Sequence, residues 1–218
     1  MKPFYIGLAF IALAGVAAIV VARQSGAGEA DARAVAPVPV TAAQFEGHLL
    51  GSDAAPVEVI EYSSFVCGWC ARFSVLTMPD IRTRLIETGR VQWKYRDFPT
   101  TEGSLVAHHA AACAGEQGRF YGMKDQLFYN QGRWAGERNP AGTFREYAEA
   151  LGLDMDQYEA CMDDGRYMAR LQATRQGGQA LGVNSTPTFI ISGTLYPGFK
   201  PFDEFRALVE QAEAEARR

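Results

Sequence analysis

Two cysteines three positions apart are the residues of this sequence with the clearest chemical potential. Cys67 and Cys70 enclose Gly68 and Trp69, an alternating apolar run precedes them, and a helical pattern follows them. Residues i and i+3 of a helix lie on one face, with Cβ atoms about 5–6 Å apart. A small adjustment brings two sulfurs at that spacing into a disulfide. The pattern therefore predicts a redox-active dithiol.

The two cysteines are expected to differ in reactivity. Cys67 falls at the start of the predicted helix, where unpaired N–H groups and the helix dipole stabilise an anion. Thiol pKa values in such settings fall to roughly 3.5–7.5. We therefore expect Cys67 to be an exposed nucleophile and Cys70, one turn into the helix, to be a shielded resolving thiol.

Two other interpretations of the cysteine pair are weaker. A zinc site needs four ligands, and no second CxxC or CxxH follows in the sequence. Two inert buried thiols would not explain the strand–CxxC–helix context. His108 and His109 are adjacent on a predicted helix, so their side chains diverge and chelate poorly together. We therefore expect ordinary helix histidines, no metal site and no cofactor.

Composition indicates a globular chain with an N-terminal export segment. The 218 residues carry a net charge of −4 with 48% apolar residues, and no basic patch favours nucleic acid. After Lys2, residues 4–22 are uncharged and long enough to approach the ~30 Å hydrocarbon core of a bilayer. We favour an uncleaved membrane anchor at 1–23 over a signal peptide cleaved after Ala22 or Ala27.

The anchor is followed by a predicted flexible linker at 24–40, rich in Ala, Gly, Pro and Ser, and then by a folded domain at 41–218. We expect this domain on the periplasmic or cell-surface side, where disulfides persist. It would be tethered by the N-terminal helix, or secreted if that segment is cleaved.

Hydrophobic periodicity predicts alternating strands and helices along the folded part. Strand, helix and strand in succession imply a parallel right-handed crossover. The predicted strands are 57–63, 90–97, 188–192 and a short one beginning at Leu195; the predicted helices are 41–50, from the cysteines to about 87, 105–114, 120–129, 143–151, 155–161, 166–181 and 201–216.

Three motifs now indicate a family: VIEYSSFVCGWC at 59–70, AACAGEQGRF at 111–120 and VNSTPTF at 183–189. With the element order, they resemble the DsbA-like thiol:disulfide oxidoreductase family over about residues 52–209. The resemblance implies an α/β thioredoxin-like fold with an all-α insertion, at about 101–165, between the second and third core strands. Where the best-known oxidases of the family have Pro-His between the cysteines, this chain has Gly68-Trp69, which leaves the direction of exchange open.

The resemblance also implies a substrate site. Read alone, Pro187 is a turn residue before a strand; in this family it is a cis proline beside the CxxC. Thr186 would expose backbone groups that pair with an incoming peptide like an added strand. We therefore expect Pro187 to act with the catalytic cysteines, and Gly68, Trp69 and Thr186 to contact substrate.

Glu61 is a candidate proton acceptor. It shares a predicted strand face with Val57 and Val59, and burial would raise its pKa. It could then take the proton of Cys70, and the resembling family has an acidic residue in this relation to the CxxC. We expect Lys94, on the neighbouring strand, to pair with Glu61; the alternative is that both reach water at the sheet end.

Cys113 and Cys161 lie on predicted helices of the insertion. Four cysteines in an exported protein suggest two disulfides, and part of the resembling family has a second disulfide here. Free buried thiols and a second redox centre are the alternatives.

Together these observations predict a monomeric, membrane-tethered enzyme that introduces disulfides into reduced exported proteins through Cys67 and Cys70. The resemblance implies a membrane quinone-linked partner that reoxidises it. Two alternatives remain open: a disulfide reductase or isomerase on the same fold, and a Cu(I)-binding metallochaperone, because soft thiolates select Cu(I).

Overall fold

The computed structural model describes residues 33–34 and 47–218. The expected membrane anchor at 1–23, most of the linker and residues 41–46 lie outside this part of the chain. Among the helices that are described, none has the length and apolar character needed to cross a membrane.

Within the described residues, six strands form one mixed sheet in the order β1-β6-β5-β3-β4-β2. Strands β3 and β4 are parallel, as the strand–helix–strand pattern predicts, and the other neighbours are antiparallel. The strands are β1 Arg33–Ala34, β2 His48–Leu50, β3 Val57–Ser63, β4 Val91–Asp97, β5 Thr188–Ile191 and β6 Thr194–Pro197.

The helices lie close to their predicted positions. They are α1 Gly68–Leu76, α2 Met78–Ile81 with a π-helical turn at Arg82–Ile86, α3 Glu102–Glu116, α4 Phe120–Tyr129, α5 Gln131–Trp134, α6 Ala141–Ala150, α7 Met155–Asp163, α8 Met168–Ala180 and α9 Phe202–Ala216. The helix expected to run unbroken to about residue 87 is interrupted at Thr77. Pro79, which lacks an N–H and clashes with the preceding turn, accounts for the break.

The predicted helix at 41–50 is wrong for its described residues, which form β2. Gly47 and Gly51 bracket this strand with φ angles of +112° and +90°, in the region that glycine tolerates and an α-helix does not use. The strand pairs antiparallel with β4 through Leu49 and Lys94. Sheet pairing therefore satisfies backbone groups that the sequence pattern assigned to a helix.

Buried side chains form two large clusters on the sheet. One joins Val59, Phe73, Trp93 and Phe205, and so packs α1 and α9 against the sheet. The other joins Tyr95 and Cys70 to the helices of the insertion. Cys70 is thereby held where the active-site helix meets the insertion.

A disulfide joins Cys113 on α3 to Cys161 on α7, with Cα atoms 5.8 Å apart. Both residues are buried. The bond expected from the cysteine count is present, and it ties two helices of the insertion together.

Replacing Cys113 and Cys161 together by alanine should lower the free energy of unfolding. Closing a loop across a sequence separation of 48 is worth about 4 kcal/mol in the chain-entropy model, and less where the reduced chain keeps structure. Urea unfolding of the variant and the parent measures the difference. The parent with Cys67 and Cys70 reduced is the reference, and equal midpoints and slopes would contradict the expectation.

Candidate active site

Cys67 is the N-cap of α1, and its sulfur is the meeting point of two distant segments. Its Sγ accepts a hydrogen bond from the backbone N–H of Cys70 at 3.3 Å. The same sulfur lies 3.2 Å from the carbonyl oxygen of Thr186, to which the thiol form donates. The Thr186–Pro187 peptide is cis, as the resemblance implied. Residues 119 positions apart thus form one site.

The two thiols of the site differ in acidity. The pKa of Cys67 is lowered to about 6, chiefly by a hydrogen bond from the Cys70 side chain. Burial opposes this shift. Hydrogen bonds from the Thr186 side chain and from the backbone N–H groups of Cys70 and Trp69 lower the pKa further. Burial raises the pKa of Cys70 well above its usual value, and the neighbouring Cys67 raises it further. At neutral pH the site therefore holds a half-buried Cys67 thiolate beside a protonated, buried Cys70.

Glu61 lies behind the cysteines and is 1% exposed. Its Oε2 accepts a hydrogen bond from Trp93 Nε1 at 3.2 Å. Burial raises the pKa of Glu61, and the charge of Lys124 together with Ser63 and Trp93 partly offsets this. The expected burial and raised pKa of Glu61 are therefore present.

The prediction that Lys94 pairs with Glu61 is wrong. Lys94 Nζ lies 2.6 Å from Glu58 Oε2 instead. The β3–β4 register sets Lys94 beside Ile60 and Tyr95 beside Glu61. Successive side chains of a strand point to opposite faces, so Lys94 and Glu61 lie on opposite sides of the sheet.

Lys124 of α4, which the sequence motifs did not indicate as a site residue, is 1% exposed. Its Nζ donates to Ser74 Oγ at 2.9 Å and lies 5.8 Å from the centre of the Tyr95 ring. Its position gave a usable signal: Phe120, Lys124 and Phe128 recur every four residues, so the lysine interrupts an otherwise apolar helix face.

Ser63 influences both Cys70 and Glu61. Ser63 lies two positions after Glu61 on the same strand face, and it lowers the pKa of both Glu61 and Cys70. Within the described residues, Ser63 Oγ, Tyr95 OH and Glu61 Oε1 are buried and make no hydrogen bond of full geometry. Such unpaired groups cost stability.

A cleft of about 320 Å³ opens beside the Thr186–Pro187 peptide, lined also by Trp69, Gly198 and Phe199. Gly198 N–H donates to Pro187 O at 2.8 Å, which fixes the two loops together. Trp69 is 56% exposed. The structure therefore brings together Trp69 and Thr186, two of the residues expected to contact substrate.

The two histidines of α3, His108 and His109, are buried and contact other residues of the folded domain. His108 Nδ1 is 2.7 Å from Asp97 Oδ1. Burial would raise the pKa of Asp97, but its bonds to His108 and His48 hold that pKa well below its usual range. His109 Nε2 lies 3.5 Å from the Cys113 sulfur, which is already bonded to Cys161.

A family model described as Thioredoxin matches residues 44–211 of the chain. Among solved structures, α-DsbA1 of Wolbachia pipientis superposes with a TM-score of 0.72 at 22% identity, covering 83% of this chain and 94% of that one. At this identity, the likeness shows a shared fold.

Two curated relatives differ in the share of their own length that is matched. Na(+)/H(+) antiporter NhaA 1 of Salinispora arenicola is 33% identical over 173 residues, which is 78% of this chain and 25% of that protein. A Rickettsia conorii protein whose name describes a protein-disulfide oxidoreductase is 25% identical over 170 residues, or 78% of this chain and 61% of that protein. The chain thus spans about a quarter of the first relative.

The acidity of Cys67 predicts a pH profile of alkylation. In the reduced protein, the rate of Cys67 modification by iodoacetamide should rise with a midpoint near pH 6, while Cys70 stays unmodified because it is buried. Mass spectrometry of timed samples distinguishes the two cysteines. A midpoint near that of a free thiol would contradict the geometry.

The same shift predicts how stability depends on pH. The folded pKa of Cys67 is depressed, so its contribution to the stability of the reduced protein is fully present above the unfolded pKa and is lost as pH falls through about 6. The gap in free energy of unfolding between the reduced parent and the Cys67→Ala variant should therefore widen from pH 6 to pH 9.

Replacing Lys124 by methionine should raise the pKa of Glu61 further, because it removes a positive charge that favours the carboxylate. Carboxyl ¹³C NMR of the oxidised protein, whose bonded cysteines do not titrate, measures this pKa. Lys94→Met is the matched control, since Lys94 pairs with Glu58 on the other face. An equal pKa in the parent and Lys124→Met would show that Lys124 does not act on Glu61.

Proposed function

Because the chain belongs to the thioredoxin family and has the fold of a DsbA protein, we propose that it is a thiol:disulfide oxidoreductase that forms disulfides in exported proteins. The proposal rests on the Cys67 sulfur, whose pKa is lowered to about 6 and which lies 3.2 Å from the Thr186 carbonyl oxygen beside the cis peptide. A relative named as a protein-disulfide oxidoreductase supports the reaction class.

The proposed reaction begins with Cys67 and Cys70 joined in a disulfide. A substrate thiolate attacks Cys67 Sγ, the Cys67–Cys70 bond breaks, and Cys70 leaves with the electron pair and takes up a proton. A second substrate thiolate then attacks the substrate sulfur of the mixed disulfide and releases Cys67 as a thiolate. Two electrons have passed from the substrate dithiol to the enzyme.

The acidity of Cys67 supports oxidation as the direction of exchange. A stabilised thiolate is a good leaving group, and it makes the dithiol form the more stable one. The disulfide form is correspondingly a strong oxidant. A reductase would need the opposite preference, which a Cys67 pKa near 6 does not favour.

Glu61 is proposed to exchange the proton of Cys70. Its raised pKa suits a carboxyl group that takes up a proton and releases it again. Ser63, which affects the pKa of both groups, is the proposed intermediate carrier. Lys124 limits how far the pKa of Glu61 rises, and so keeps the carboxylate within reach of ionisation.

The proposed setting is extracytoplasmic. The Cys113–Cys161 disulfide supports it, because such bonds persist in oxidising compartments. We propose that residues 1–23 tether a monomeric enzyme to the membrane, where a quinone-linked partner reoxidises Cys67 and Cys70. Reduced exported proteins are the proposed substrates.

Equilibration of the purified protein with glutathione redox buffers tests the direction. An oxidase should have a potential near the oxidising end of the range, about −120 mV, whereas a value near −270 mV would indicate a reductase. Oxidative refolding of a reduced substrate should also be faster than insulin reduction. The opposite order would contradict the proposal.

Two variants test the chemistry itself. Incubated with a disulfide-bonded peptide, whose bond the Cys67 thiolate attacks in the reverse direction, Cys70→Ser should accumulate mixed disulfides through Cys67, because the resolving thiol is gone. Cys67→Ser, which keeps Cys70 buried, should accumulate none. An anaerobic Cu(I) titration addresses the metallochaperone alternative. Tight Cu(I) binding without mixed disulfides in Cys70→Ser would favour that alternative.

A further inference from the structure

An arginine is stacked against the aromatic wall of the cleft beside Cys67. The rings of Trp69 and Phe199 lie 5.7 Å apart and tilt by 43°. The guanidinium carbon of Arg72, one helical turn after Trp69, is 5.4 Å from the Trp69 ring centre and 5.6 Å from that of Phe199. Two aromatic contacts thus hold this exposed cation at the rim of the cleft.

The stacking leaves the donors of Arg72 available. A guanidinium meets aromatic rings through its flat face, while its N–H groups point outward in the same plane and form a fork that matches a carboxylate. In the described part of the chain no ion pair within 4.0 Å involves Arg72, whereas seven other arginines there are paired with a carboxylate. Arg72 is therefore an exposed positive charge without a carboxylate partner among the described residues, in a chain whose net charge is −4.

We infer that Arg72 selects substrates: the cleft prefers reduced polypeptide segments that carry a carboxylate within about four residues of the reacting cysteine. The inference rests on the proposed function, because it concerns which thiol reaches Cys67. An extended segment advances about 3.3 Å per residue, so a carboxylate a few residues from the cysteine can reach the rim while the thiol meets the sulfur. Trp69 and Phe199 supply the apolar wall of the cleft.

The positive charge of Arg72 at the rim of the cleft affects how fast a substrate meets the cleft and how the substrate is oriented there. The substrate thiolate attacks Cys67 Sγ, the Cys67–Cys70 bond breaks and Cys70 takes up a proton, as in the proposed reaction. The carboxylate stays outside this chemistry. Its pairing with Arg72 raises the rate of mixed-disulfide formation and is weakened by salt.

The test uses the oxidised full-length chain and three matched cysteine peptides that differ only in one residue near the cysteine: glutamate, alanine or lysine. Stopped-flow Trp fluorescence or quenched mass spectrometry gives the rate of mixed-disulfide formation. At low salt the glutamate peptide should react about threefold to fivefold faster than the lysine peptide, the range that an exposed ion pair supplies. High salt should remove the difference.

Charge reversal is the decisive comparison. Arg72→Glu should invert the preference, and Arg72→Gln should abolish it. Arg84→Glu is the matched control: it makes the same change of net charge at another exposed arginine stacked on an aromatic ring, 4.4 Å from the Phe202 ring centre, and should keep the parent's preference.

The alanine peptide separates this inference from the proposed function. If it forms no mixed disulfide with the parent protein, the oxidoreductase proposal fails. If it reacts and the glutamate and lysine peptides react equally fast, only the role of Arg72 is overturned. An equal change in preference for Arg72→Glu and Arg84→Glu would assign the effect to net charge and would also overturn it.

Discussion

The site depends on one sulfur held by two segments that are far apart in sequence. Cys67 receives the backbone N–H of Cys70 on one side and faces the Thr186 carbonyl on the other. The first contact comes from the helix that the sequence pattern already marks. The second requires β5 to lie beside β3 in the sheet, which brings the Thr186–Pro187 peptide to the end of that helix. The position of this sulfur between the two segments therefore depends on the whole sheet.

Near that sulfur, the protein keeps polar groups where packing alone would favour apolar ones. Glu61, Ser63, Tyr95 and Lys124 are buried beside the fully buried Cys70. A buried carboxylate and a buried ammonium are costly unless each compensates the other. Three of these groups also have an oxygen without a well-formed hydrogen bond. In the proposed reaction these groups exchange the proton of Cys70 away from water, which would account for this cost.

The helical insertion contributes to this chemistry. It supplies Lys124, whose charge acts on Glu61, and it packs against Cys70 through the cluster around Tyr95. Its own helices are held by the Cys113–Cys161 bond. The active-site helix meanwhile presents Trp69 and Arg72 to the opposite, open side. The cysteine pair thus has an enclosed side with buried polar groups and an exposed side with Trp69 and Arg72.

Much of this protein could be predicted from the sequence, because strand alternation, helical periodicity and the CxxC spacing are local properties. They determined the parallel strand pair, the helix that begins at Cys67 and the burial of Glu61. The prediction from these local properties was wrong where the structure depends on strand pairing. The segment at His48 is a strand because β4 offers it hydrogen bonds. Only the tertiary structure decided that Lys94 turns to the other face and that Lys124 acts on Glu61, since register and helix docking join residues that no sequence spacing relates.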